Sequence, residues 1–203
     1  MFFIPDSIVK IYQDLKKTGA TIIIPGRTGT NHHFEETEHS IIRKETGFKV
    51  SWPGGWLEDR VLEHAVMSQM GWPMNIYTNT IIVSERADIL LPKISIVVEN
   101  VGNIDIIDYT HKRLNILTTH QTETLDYDVC KDFHTVTEIM LYKPTHDLES
   151  YQIQKSFLRN NKAYVFNIFD VYPEKVEKKP GLTTDIIKIV RSFTFLDSTV
   201  LSQ

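Results

Sequence analysis

Apolar positions in the first eighteen residues recur at helical spacing. Ile8, Ile11, Tyr12 and Leu15 follow i, i+3, i+4, i+7, with Val9 at the edge of the stripe. The pattern predicts a helix over 6–18, with Asp6 as N-cap and Gly19 just past its end. Thr21 to Ile24 is a β-branched run stopped by Pro25-Gly26, and residues 25–38 are polar and rich in turn formers. A domain boundary is expected near 38, giving an N-terminal arm (1–38, helix plus polar loop) and a main domain (39–203).

Beyond 38 the period becomes two. Ser40 to Lys44 reads as a strand, and Phe48, Val50 and Trp52 alternate with Lys49 and Ser51 in the next. Residues 57–75 show no clean period, and Met67, Met70, Trp72 and Met74 suggest a loop packed on the core. Strands are expected at Ile76 to Val83, Lys93 to Val98, Thr135 to Tyr142, Tyr151 to Leu158 and Lys162 to Ile168. Asn160-Asn161 between the last two predicts a tight hairpin, since asparagine tolerates positive φ. Helices are expected over Asp105 to Leu117 and around Asp185 to Val190, and Ser192 to Leu196 returns as a strand or extended tail. Consecutive hairpins imply an antiparallel sheet, and the amphipathic helices must cover it, which makes the fold class α+β.

The 203 residues suit one domain with an appended arm, and 41% hydrophobic with 24% charged residues is ordinary globular composition. The net charge of −4 and the lack of any basic run argue against nucleic acid as a partner. The mixed run Glu174 to Lys179 reads as a solvated surface stretch. Cys130 is the single cysteine, which excludes a disulfide within the chain and a cysteine-based zinc site. No stretch of about 18 apolar residues suggests a transmembrane segment. The opening Met1-Phe2-Phe3-Ile4-Pro5 lacks the basic flank and apolar region of a secretory signal, and no transit peptide is evident.

The best candidate for chemistry is the segment His32 to His39. His32, His33, Glu35 and His39 could hold a divalent metal, because in a strand His33, Glu35 and His39 share a face. The spacing does not fit the His-Glu-x-x-His helix of metalloproteases, and a solvated linker is the simpler reading. Pro25-Gly26-Arg27-Thr28-Gly29 lacks the Walker ending, and Cys130 with Asp132 and His134 nearby in sequence gives no assured nucleophile geometry. No catalytic residues are therefore assigned, and no cofactor is expected beyond that candidate metal. Candidate partner-binding residues are Ile8, Ile11, Tyr12 and Leu15, if the first helix docks outside the domain, and Trp56 and Trp72 as an aromatic surface. Trp52 reads as core.

Four segments in order carry a family resemblance: Gly47 to Trp56; Ile94 to Val98 followed by Asp105 to Tyr109; Asn161 to Phe166; and Ile187 to Phe195 with its Ser192-Phe193 pair. Over about residues 40–197 the chain resembles the PsbP-like family, part of a wider group that includes the Ran-binding Mog proteins. The resemblance implies an α/β/α sandwich. It also implies a non-catalytic accessory or assembly subunit docked peripherally on an energy-converting membrane complex, photosystem-type or other, in a thylakoid or mitochondrial setting. An alternative is a chaperone or adaptor that cradles an apolar peptide or helix on its sheet.

Overall fold

The structure, a computed structural model, describes residues 4–23, 39–60, 76–84, 91–117, 122–145, 148–179 and 181–196. In chain order the elements are α1 (Asp6–Lys16), β1 (Thr21–Ile23), β2 (His39–Arg43), β3 (Phe48–Trp52), β4 (Trp56–Glu58), β5 (Ile76–Ser84) and β6 (Lys93–Asn100). They continue as α2 (Ile106–Leu117), β7 (Thr122–Cys130), β8 (Thr135–Thr145), β9 (Leu148–Arg159), β10 (Lys162–Val171), α3 (Pro173–Lys178), α4 (Gly181–Arg191) and β11 (Thr194–Leu196).

Seven strands form one antiparallel sheet in the order β4-β5-β6-β10-β9-β8-β7. Strands β7 to β10 follow one another as a meander, and one of its turns is legible in the chain. The two-residue β9–β10 hairpin has both Asn160 (φ 51°) and Asn161 (φ 61°) in the left-handed region, as a type I′ turn requires. The other sheet has the order β1-β11-β3-β2, with β1 and β11 parallel. In β3 the buried Phe48, Val50 and Trp52 alternate with half-buried Lys49 and Ser51.

One face of the large sheet is sealed by α1, α4 and the small sheet. Ile139, Ile153, Phe157, Tyr164 and Phe166 of the large sheet belong to one core with Ile8, Ile11, Leu15, Phe48, Ile186 and Val190. Phe193 is the hub. Its ring centroid lies 5.1 Å from Phe157, Phe166 and Phe195, and 5.6 Å from Phe48 and Tyr164. The preceding Ser192 clamps the same joint, because its Oγ accepts the Ser51 N–H at 2.8 Å and sits 2.7 Å from the Ile189 carbonyl. The Ser192-Phe193 pair is thus structural. Arg43 joins the two sheets a second time, with Nη2 on Glu58 Oε1 at 2.8 Å and Nε on Thr80 Oγ1 at 3.1 Å. The opposite face carries a smaller cluster, in which Ile106 and Tyr109 of α2 pack on Val136, Ala163 and Val165.

Several expectations need correction. α1 is capped by Pro5, whose carbonyl accepts from Ile8 and Val9 at 3.0 Å, so Asp6 is the first helical residue and its carboxylate faces the helix dipole. The helix ends at Lys16, and Gly19 is not its cap. A Cβ on Gly19 would stand 3.1 Å from the Phe133 ring, so the residue is small because that ring lies on it. α1 buries its stripe in the common core and β1 pairs with β11, so the first helix docks on the domain itself. β7 falls outside the expected strands because an edge strand with Glu123, Asp126 and Asp128 shows no clear alternation. The run Glu174 to Lys179 is largely α3, with Pro173 in its first turn and Val176 as its one buried residue. α4 starts at Gly181, ahead of Thr183. Of the segment 57–75, Leu57 and Glu58 lie in β4, and 61–75 fall outside the described residues.

Phe193→Ala should lower unfolding stability by about 3–5 kcal/mol, since five aromatic partners lose one ring. Deleting residues 1–23 should abolish the cooperative urea transition altogether, as it strips α1 from the core. A truncated chain that unfolds with the full-length midpoint would contradict this packing.

Candidate functional site

The structure distributes the candidate residues widely. Ile8, Ile11, Tyr12 and Leu15 face the core with at most 3% exposure, so the stripe is not offered to a partner while α1 is docked. Trp56 is also buried, and its indole N–H donates to Asp185 Oδ2 at 3.2 Å, tying β4 to α4. Trp72, His32, His33 and Glu35 lie outside the described residues. His39 is exposed on β2, its ring 6.5 Å from that of Trp52. Cys130 ends β7, half-buried, and His134 sits in the following turn with φ 49°.

Two buried charged groups add to the candidates that the sequence singles out. Glu138 on β8 has no exposed surface, and neither carboxylate oxygen has a hydrogen-bond partner. It belongs to a polar row crossing the sheet under α2, where Glu138 pairs with Gln154, Gln154 with Asn167, and Asn167 with Ser95. Gln154 Nε2 donates to Asn167 Oδ1 at 2.5 Å and its Oε1 accepts from Arg113 Nη2 at 2.6 Å. The Tyr109 hydroxyl on the same helix donates to Glu99 Oε1 at 3.1 Å. Burial pushes the Glu138 carboxyl above its ordinary range, opposed by the Arg113 charge.

Lys155 lies on the opposite face, among the residues beneath α1. Nζ donates to Thr135 Oγ1 and Thr137 Oγ1, both at 3.0 Å, and stands 5.7 Å from the Phe157 ring centre. Burial lowers its pKa to about 8, resisted by Cys130 and Asp128. Since Glu138 is opposite Gln154 in the ladder, its diagonal neighbour Lys155 points through the other face, and the two cannot act as an acid–base pair. The alternation does flag Lys155: it is two residues from both Ile153 and Phe157, which are core.

A surface cleft of about 310 Å³ opens where three turns meet: the β6–α2 connection, the β7–β8 turn and the β9–β10 hairpin. Val101, Ile104, Ile106 and Leu158 give it an apolar lining. The polar lining comes from Asn103, His134, Arg159, Asn160, Asn161 and Lys162. Four of the lining residues, Gly102, His134, Asn160 and Asn161, hold positive φ, so the backbone there is set in conformations that few residues adopt. The hairpin is anchored to the neighbouring connection by the Val101 N–H donating to the Asn161 carbonyl at 2.9 Å. The Arg159 guanidinium lies 4.8 Å over the Phe195 ring, with Nη1 buried and unpartnered. Only the Asn160-Asn161 turn is readable in the sequence. The cleft itself joins three segments far apart in the chain.

Replacing Lys155 tests the buried charge. Folded, it titrates near 8, against an ordinary 10.5 in the unfolded chain. Below 8 both states hold the proton and the folded state bears the full burial penalty. Between the two values the unfolded chain binds the extra proton, so stability rises with pH. Lys155→Met should therefore be more stable than the parent at pH 7 by on the order of 1–3 kcal/mol in urea unfolding, with the advantage shrinking by about pH 9.5. An advantage of equal size at both pH values would contradict the burial of a titrating amine.

No protein-family model matches the sequence, and a search of characterised proteins finds no match. Solved structures do match. The cyanobacterial PsbP (CyanoP) from Synechocystis sp. PCC 6803 aligns over 82% of this chain and 97% of its own, with a TM-score of 0.51 at 11% identity. The Saccharomyces cerevisiae Ran-binding protein Mog1p aligns over 81% of this chain and 98% of its own, with a TM-score of 0.50 at 12% identity. With a seven-stranded antiparallel sheet and a smaller mixed sheet flanked by helices, the chain has a PsbP/Mog-like α+β fold.

Proposed function

We propose that this chain is a non-catalytic accessory or assembly subunit that docks peripherally on a larger membrane protein complex. The observation that carries the reading is the fold likeness to CyanoP, which spans nearly the whole of that protein and most of this one. Mog1p, the second neighbour, is named for binding a protein, Ran, which supports a binding role over a chemical one. The finer statement is that the complex is energy-converting, photosystem-type or other, and that the site of work is the surface of a thylakoid or mitochondrial membrane. It draws on the motif resemblance of Gly47 to Trp56 and Ile187 to Phe195. No helix among the described residues is long and apolar enough to cross a membrane, and a peripheral mode of attachment needs none.

The cradle reading fares less well. It needs an open apolar sheet face, yet Ile139, Ile153 and Phe166 are buried beneath α1, α4 and the small sheet. On the other face Val97, Val136, Met140 and Val165 are buried too.

The test is native-gel migration after gentle detergent extraction of the source membranes, with the protein located by mass spectrometry. The expected result is a band within a large complex that loses this chain in high salt or urea. A band near 23.5 kDa alone, with none of the chain in the membrane fraction, would overturn the proposal.

A further inference from the structure

We propose that the outer edge of β7 takes an extended segment of a partner protein, added as a further strand of the large sheet, in which basic residues alternate with apolar ones. This rests on the partner-binding reading above and names the surface and the chemistry of the occupant.

The large sheet ends at β4 and β7, and the small sheet at β1 and β2. Of these four edge strands β7 is the longest, with 9 residues against 3 in β4, 3 in β1 and 5 in β2. Among the described residues β7 pairs with β8 alone. The direction of its backbone groups follows from the neighbouring ladder. The Leu158 N–H donates to the His134 carbonyl at 2.9 Å, so His134 faces β9, and antiparallel alternation then turns Thr135 and Thr137 toward β7. Their partners Cys130 and Asp128 face back, while Tyr127 and Val129, opposite Glu138 and Val136, present N–H and C=O outward. The Tyr127 N–H agrees, since it donates to Asp126 Oδ1 at 2.9 Å, a local bond open to an outward amide.

An unpaired edge of this length is a ready template for another strand. The side chains select which one. Glu123, Asp126 and Asp128 stand opposite Leu141, Ile139 and Thr137, so all three acids lie on the α1 face, and β7 carries no base. Lys16 pairs with Asp128 at 3.2 Å, but Glu123 and Asp126 are exposed and have no ion pair among the described residues. On the other face Tyr127, 48% exposed, and the half-buried Val129 offer apolar surface. A strand laid beside β7 therefore meets carboxylates on one face and apolar groups on the other, which period-two alternation of Lys or Arg with aliphatic residues matches. A second copy of the chain does not match, because β7 on β7 sets like charges against one another.

The probe is the peptide acetyl-Lys-Val-Lys-Leu-Lys-Val-amide, titrated into the full chain and followed by amide NMR. Shifts should centre on residues 126–130. Tyr127→Pro should weaken binding about tenfold or more, since proline removes an outward N–H and obstructs the edge while the inner ladder is kept. Its urea midpoint checks that it folds. Glu123→Gln with Asp126→Asn leaves the backbone alone and should weaken binding about three- to tenfold, while Glu174→Gln on α3 changes nothing. The proposal is overturned if shifts fall elsewhere, if none occur at millimolar peptide, if the Glu-for-Lys peptide binds as well, or if the folded Tyr127→Pro chain binds like the parent. Dimerisation of the free chain through residues 122–130 would put a second copy on the edge and overturn it too. In the native gel, Tyr127→Pro should drop out of the complex that the parent joins. If it stays, the β7 edge is not the docking surface and the accessory reading survives. If the parent itself runs alone, the accessory reading fails, and the peptide titration still decides whether the edge takes a basic strand.

Discussion

Stacking of Phe193 against five other aromatic rings holds this protein together, because those rings come from every part that must meet. Phe48 belongs to the small sheet, Phe157, Tyr164 and Phe166 to the large one, and Phe195 to the strand that Phe193 itself introduces. Edge-to-face and offset contacts of this kind add about 0.5–1.5 kcal/mol per pair beyond the area they bury. α4 leads directly into this residue, so the helix that covers the sheet and the strand that extends the small sheet are placed by the same ring. The parallel pairing of β1 with β11 follows, and it carries α1 onto the same core.

How much of this is legible in the residues depends on how local the cause is. The alternation Phe48, Val50, Trp52 marks β3, and Asn160-Asn161 marks the β9–β10 hairpin, because each is decided within a few residues. The helical stripe Ile8, Ile11, Tyr12, Leu15 is equally plain, but the spacing cannot say which apolar surface the stripe will cover. That it covers the domain's own core is a tertiary fact. β7 is obscured by its place at the sheet edge, where water accepts Glu123, and by the register shift between Thr124 and Asp126, which breaks the alternation around the partly buried Leu125 and Val129. α3 is obscured by having a single buried residue, Val176, among four lysines and glutamates. Of the metal candidates only His39 falls on a described element, and it is exposed on an edge strand.

The two buried charges obey the alternation of their strands. Lys155 stands at an inward position in β9, and its two threonine partners lie at inward positions of β8, so a small polar pair replaces what would otherwise be apolar packing. Glu138 stands on the other face, its carboxylate oxygens without hydrogen-bond partners, and its neutral form is the one burial favours. Because the sheet separates them, these groups bear on stability and specificity of packing, and they offer no shared reaction centre. Polar groups gather instead at the end of the sheet, where three turns bring asparagine side chains and His134 beside an apolar hollow.

The most direct test is hydrogen–deuterium exchange of the chain compared with Phe193→Ala. In the parent, α1, α4 and β8 to β10 should share the slowest exchange, and losing the Phe193 ring should speed all of them together. Faster exchange confined to β11, with α1, α4 and β8 to β10 as in the parent, would contradict the account.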